Sequence, residues 1–166
     1  HKRILDFGCG YGRLLRLFLY YSDDVLGVDA WEESLDHCRV AGLSDCVRKS
    51  ASLPISLPFS DTFDFAFAFS IFTHLDKRAA IACLRAVRTA IAPGGVFCIT
   101  IRPEEYWRLR LKNRGERAAQ MLALHRDEGF AFAGHGPRKE DPDGHFGDAS
   151  MTLDWLASHA EGWQVA

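Results

Sequence analysis

Apolar positions follow two rhythms along this chain: short runs of strand length, and longer stretches in which they recur every three or four residues. Residues 3–7 form the first strand-like run and lead into Gly8, Cys9, Gly10, Tyr11 and Gly12, after which Leu14, Leu17, Phe18 and Tyr21 keep helical spacing. Residues 25–29 predict a second strand. A helix over 32–41 follows, with Leu35 and Cys38 facing inward and Gly42 placed to stop it. Residues 46–49 predict a third strand, and 53–58, with two prolines, a loop. The run 63–72 is almost continuously apolar, which predicts a central strand buried on both faces. Asp76 then caps a helix whose stripe is Ile81, Leu84, Val87 and Ile91, and Pro93, Gly94 and Gly95 end it before a strand over 96–101.

Strand and helix thus alternate with short connections, the order of an α/β chain built as a doubly wound, mostly parallel, Rossmann-like sheet with helices on both faces. Beyond Pro103 the pattern loosens. It predicts a polar helix over 104–127, a short strand over 130–133, and a loop over 135–146 rich in Gly, Pro and charge, a kind of segment that often carries function. A last helix over 152–160 presents Trp155 and Leu156 inward, and Gly162 ends it before a strand-like 163–165.

The 166 residues are read as one domain, 1–166. A start at His1, Lys2 and Arg3, directly before a strand, makes a fragment shortened at both ends the expectation. Twenty Lys and Arg against 22 Asp and Glu leave a net charge of −2, so no overall positive field recruits nucleic acid or an anionic membrane. The arginine-rich stretch 102–117 carries interleaved glutamates and reads as a solvated helix face. Five cysteines, odd in number and without a Cys-x-x-Cys pair, fit core packing in a reducing compartment, and no apolar run is long enough to span a bilayer; a cytoplasmic protein is the expectation.

The candidate chemistry centres on the glycine loop. Glycine permits positive φ and close approach of bare main chain to a ligand, and the helix behind the loop offers unpaired N–H groups. Asp29 ends the second strand at the distance from the loop, about 20 residues, at which related folds place a carboxylate for ribose hydroxyls.

With Asp6, Gly8, Gly10 and Gly12 the chain resembles class I S-adenosylmethionine-dependent methyltransferases, whose first motif is an acidic residue followed by Gly-x-Gly-x-Gly. Asp29 matches the family's ribose-binding acid, Leu57, Pro58, Phe59, Phe63 and Asp64 resemble its loop into the fourth strand, and Pro93, Gly94 and Gly95 complete the order. The resemblance covers about residues 2–101. It implies methyl transfer with S-adenosylmethionine as cofactor, held by Asp6, Gly8, Gly10, Tyr11, Gly12, Asp29, Ala30, Trp31, Ser50, Ala51 and Ser70; the near-neutral charge favours a small-molecule acceptor, His74, just beyond the fourth strand, is the candidate general base, and no metal is expected. Two departures stand out. Ser50 occupies the place where many relatives carry an acid for the adenine amino group, and the family's closing antiparallel strand and leading helix have no counterpart.

Several residues admit a second reading. Asp6 and Asp29 are either cofactor carboxylates or strand-end turn residues; Tyr11 and Arg13 are contacts or exposed positions, Tyr11 being able to face a sulfonium through its ring. Trp31 either stacks beside adenine or anchors the next helix, and His74 is either a base or a structural histidine. His135, His145, Asp141, Asp143 and Asp148 fit no zinc or calcium loop and read as a solvated segment suited to substrate contacts. A nicotinamide-dependent oxidoreductase is disfavoured by Arg13, where its glycine motif needs a small residue. A non-catalytic cofactor-binding module is the alternative from another class.

Overall fold

The computed structural model describes residues 2–139 and 141–166; His1, ahead of the first strand, and Glu140, within the 135–146 loop, lie outside the described residues. Five parallel strands, β1 (Ile4–Phe7), β2 (Val25–Asp29), β3 (Val47–Lys49), β4 (Phe63–Ala68) and β5 (Ile91–Ile99), form one sheet in the order β3-β2-β1-β4-β5. The order reverses beside β1, so the strand carrying the glycine loop sits at the switch point, where sheets of this type open a crevice beyond the strands' carboxyl ends.

The alternation of side chains along each strand feeds two cores. Ile4, Val25 and Val47 meet Leu15 of α1 (Arg13–Leu19) and Leu35 and Cys38 of α2 (Glu32–Val40) on one face. Leu5, Phe7, Val28, Ala66 and Ala68 meet Leu84 and Val87 of α3 (Lys77–Ala90) and Trp155 and Leu156 of α6 (Leu153–His159) on the other. Asp76 and Thr152 cap α3 and α6, their side chains accepting from Ala79 N–H (2.7 Å) and Trp155 N–H (3.0 Å). The α/β class, the doubly wound order and the helices on both faces are as the hydrophobic pattern predicts.

Departures from the predicted elements are local and have identifiable causes. Helix α1 turns Leu15, with Phe18 and Leu19, toward the sheet, while Leu17 and Tyr21 are exposed, because Leu15 packs into the space that Gly27 leaves bare. The strand β4 stops at Ala68, and Ser70 takes φ +61° where the chain turns away. Helix α3 ends at Ala90, since Ile91 already pairs with Phe63; Pro93, Gly94 and Gly95 lie in an irregularity of β5, before Val96 pairs with Phe65. The polar helix is two helices, α4 (Glu105–Arg110) and α5 (Gly115–Glu128), because the break brings Met121 back onto Trp107 and Leu111 in a third small core.

An antiparallel hairpin of β6 (Phe130–Gly134) and β7 (Gly147–Met151) completes the structure. Strand β7 is absent from the hydrophobic pattern because its buried polar residues are satisfied by distant partners: Trp107 Nε1–H donates to Ser150 Oγ at 2.6 Å, and Arg102 to Asp148 Oδ1 at 2.9 Å. The segment 163–165 is not a strand. Trp163 instead packs against Phe97 (5.6 Å between ring centres), with the Arg88 guanidinium over its ring. No helix among the described residues is long and apolar enough to cross a membrane.

Candidate active site

The crevice at the carboxyl ends of β1 and β2 is walled below by the glycine loop. Gly10 holds φ +51°, and a Cβ there would meet nothing within 4 Å, so its main chain lies bare against open space. Gly8, at φ +76°, has no such room, since a Cβ there would collide with Ile71. Asp29 ties this wall together. Its Oδ2 accepts from Gly10 N–H and its Oδ1 from Trp31 N–H, both at 2.9 Å, and the carboxylate, with accepting capacity left over, lines the crevice. Burial pushes the Asp29 carboxyl above its ordinary range against the opposing pull of the Trp31, Gly10 and Ala30 N–H groups.

Asp6 lies beneath the loop, 2% exposed, with Oδ2 lacking a hydrogen-bond partner. Its carboxyl is pushed up to about 7, chiefly by burial, with the nearby Asp29 charge adding to it and the Leu15 backbone opposing. Cys38 donates to Gly10 O at 3.1 Å from below, which further fixes the loop.

Of the residues singled out by sequence, Gly8, Gly10, Tyr11, Asp29, Ala30, Trp31, Ser50 and Ala51 line one crevice; Asp6, Gly12, Ser70 and His74 do not. Gly12 is the left-handed N-cap of α1, facing Leu43 and Cys38. Ser70 N–H donates to Thr100 Oγ1 at 2.7 Å and its side chain lies 3.3 Å from Thr73 Oγ1. His74 is saturated: Nδ1–H donates to Gly147 O at 2.6 Å, Nε2 accepts from Arg102 at 3.1 Å, and Phe146 stacks on the ring. With no ring nitrogen facing the crevice, His74 has the geometry of a structural histidine rather than that of a base.

The upper wall comes from the far end of the chain. The β6–β7 connection lays Phe146 beside Trp31, ring centres 5.0 Å apart, and pairs it with Leu75. Its shape is set by Asp141, buried, whose two oxygens accept from His145 N–H (2.9 Å) and Phe146 N–H (2.8 Å). Asp141 and His145 are buried, as is Asp148 in β7, so this part of the segment is a structured roof, while His135, Arg138 and Asp143 stay exposed as its composition predicts. Asp141 and His145, from the segment whose composition suits substrate contacts, also line the crevice, whereas Ile71, Leu75, Cys83 and Phe146 are crevice residues that motif reasoning missed.

Asp148 joins the roof to the body. Burial would raise its carboxyl, but hydrogen bonds from Tyr106, His135 and Arg102 outweigh that and hold it down to about 2. Arg102, read from sequence as part of a solvated face, is thus largely buried, bonded to Thr73 O (2.8 Å) as well as Asp148.

A family description for the methyltransferase domain matches residues 4–95. The chain is 28% identical to the ubiquinone biosynthesis O-methyltransferase of Stutzerimonas stutzeri, over 78% of this chain and 65% of that one. It is 29% identical to the tRNA U34 carboxymethyltransferase of Pseudomonas fluorescens, over 72% of this chain and 39% of that one. A solved structure of a SAM-dependent methyltransferase from Methanosarcina mazei shares the fold, with a TM-score of 0.64 at 22% identity, over 95% of this chain and 76% of that one. The chain spans less than two thirds of the length of these curated relatives. With the match extending over more than half of its residues, and with the five-stranded order and switch-point crevice in place, this chain belongs to the methyltransferase domain family.

Proposed function

We propose that this chain binds S-adenosylmethionine in the crevice and directs methyl transfer to a small-molecule acceptor. The observation that carries this reading is the pairing of bare main chain at Gly10 with the doubly anchored Asp29 carboxylate across one strand-end crevice. These groups fit the cofactor. Asp29 has lone pairs left for a ribose diol, Gly10 leaves space for the methionyl portion, and Trp31, Ser50 and Ala51 line the side where an adenine ring would rest. Ser50 or main chain serves the adenine edge in place of the acid that the family often carries there.

The sulfonium of this cofactor supplies a methyl group already activated by positive charge, so the protein's task is to orient and desolvate. Asp29 and the glycine loop orient from below, while the adjacent Trp31 and Phe146 rings place apolar surface beside the crevice. A net charge of −2 supports a small acceptor over a nucleic acid, and five free cysteines support a reducing compartment, the cytoplasm.

Thermal shift with S-adenosylhomocysteine and with NAD tests the reading. S-adenosylhomocysteine raises the Tm and NAD leaves it unchanged. Stabilisation by NAD alone sinks the methyltransferase assignment of this crevice in favour of a nicotinamide site.

A further inference from the structure

We propose that His145, oriented by Asp76, takes the proton from a hydroxyl acceptor as its oxygen is methylated, a role that rests on the methyl-transfer reading above. His145 Nδ1 lies 2.7 Å from Asp76 Oδ2. The carboxylate can only accept there, so the neutral imidazole carries its hydrogen on Nδ1 and leaves a lone pair on Nε2. Asp76 is itself immobilised, because its other oxygen caps α3 through Ala79 N–H. The main chain of His145 is fixed on both sides, its N–H donating to Asp141 Oδ1 at 2.9 Å and its C=O accepting from Asp76 N–H at 2.9 Å.

Nε2 is buried and has no hydrogen-bond partner among the described residues, although the side chain is only 10% exposed and lines the crevice beside Ile71, Leu75 and Cys83. The facing acids do not satisfy it: Asp143 Oδ2 is 3.9 Å away, beyond hydrogen-bond reach, and Asp141 spends both oxygens on main-chain N–H groups. Asp29 lies on the opposite wall, engaged by Gly10 and Trp31. Cys83 does not compete as a base, since burial pushes its thiol up to about 12. A buried acceptor left without a partner is destabilising, and a donor arriving beside it would relieve that cost.

The arrangement selects among acceptor chemistries. A neutral amine attacks with its own lone pair and sheds a proton afterwards, whereas a hydroxyl becomes a competent nucleophile only as its proton leaves. The O–H bond breaks toward Nε2 while an oxygen electron pair forms the O–CH₃ bond. The S–CH₃ bond of the sulfonium donor breaks with its pair left on sulfur, giving a neutral thioether and an imidazolium held beside Asp76. Hydrogen bonding of base to orienting carboxylate, with the second ring nitrogen left unpartnered, is the geometry that this step needs.

The test uses the full chain, with S-adenosylhomocysteine binding established first by calorimetry; absence of binding defeats the site reading itself, separately from this proposal. Nitrogen-15 NMR of the histidine rings then reads His145 directly. The expected result is Nδ1–H with bare Nε2 in both free and S-adenosylhomocysteine-saturated protein, and a shift of Nε2 when phenol is added as the hydroxyl probe. Asp76→Asn, which retains a helix-capping oxygen, is expected to mix the two ring tautomers. Three results overturn the proposal: a protonated Nε2, an Nε2 shift on S-adenosylhomocysteine alone, or an Nε2 unmoved by phenol.

Discussion

Below the crevice, the wall is main chain and one carboxylate from residues 8–31, contiguous in sequence; above it, the roof is side chains of residues 141–146 held against 71–76, some seventy positions earlier. The lower wall depends on what is missing, a Cβ at Gly10, and the upper on what is paired, Asp141 with two N–H groups and Asp148 with Arg102, Tyr106 and His135. A surface of bare backbone suits a ligand shared by a whole family. A surface of specific side chains on a connecting segment suits the part of the chemistry that varies.

The buried aspartates of the two regions are also shifted in opposite directions, Asp6 upward and Asp148 downward, and the largest expected effect separates them. Asp6 beneath the lower wall has its carboxyl raised to about 7 by burial, so its contribution to stability is complete below the unfolded value near 4 and is lost as pH rises through 7. The change amounts to about 4 kcal/mol, and Asp6→Asn is expected to flatten the fall; denaturant midpoints between pH 4 and 8 measure it. An unchanged slope in Asp6→Asn removes Asp6 as its source.

In the roof, a Cβ at Gly147 would run into the Ala133 carbonyl oxygen and Gly134 Cα of the paired strand. Gly147→Ala therefore destabilises the hairpin by about 3 kcal/mol, with hydrogen exchange accelerated in residues 130–151 and unchanged in β1, β2 and β4. Equal acceleration in both regions contradicts their independence. Asp148, held down to about 2, behaves oppositely to Asp6: its stabilisation is present above about pH 4 and disappears as pH falls through 2. Arg102→Met removes part of it, about 2 kcal/mol at pH 7, measured by urea midpoint. No loss of stability there contradicts the role of Arg102 in fastening the roof.

The same contrast explains what could be read in advance. The parallel strands, α2, α3 and the glycine loop were legible because period-2 and period-3.6 patterns and glycine punctuation are local signals. Strand β7 was not, since Asp148 and Ser150 look like loop residues until Arg102 and Trp107 are known to meet them. The two histidines show the limit most clearly. His74 sits beside a motif, yet both its nitrogens are spent on Gly147 and Arg102; His145 sits in an unpatterned loop, and only the folded chain turns its ring inward against Asp76. Composition cannot distinguish them because burial and partnership are properties of tertiary structure.

Calorimetric titration of S-adenosylhomocysteine into the wild type and Asp29→Ala tests the central claim most directly. The account predicts that removing the carboxylate weakens binding by about 3 kcal/mol, roughly a hundredfold in Kd, as two ribose contacts and the anchor of Gly10 are lost together. Equal affinities for the two proteins would contradict it.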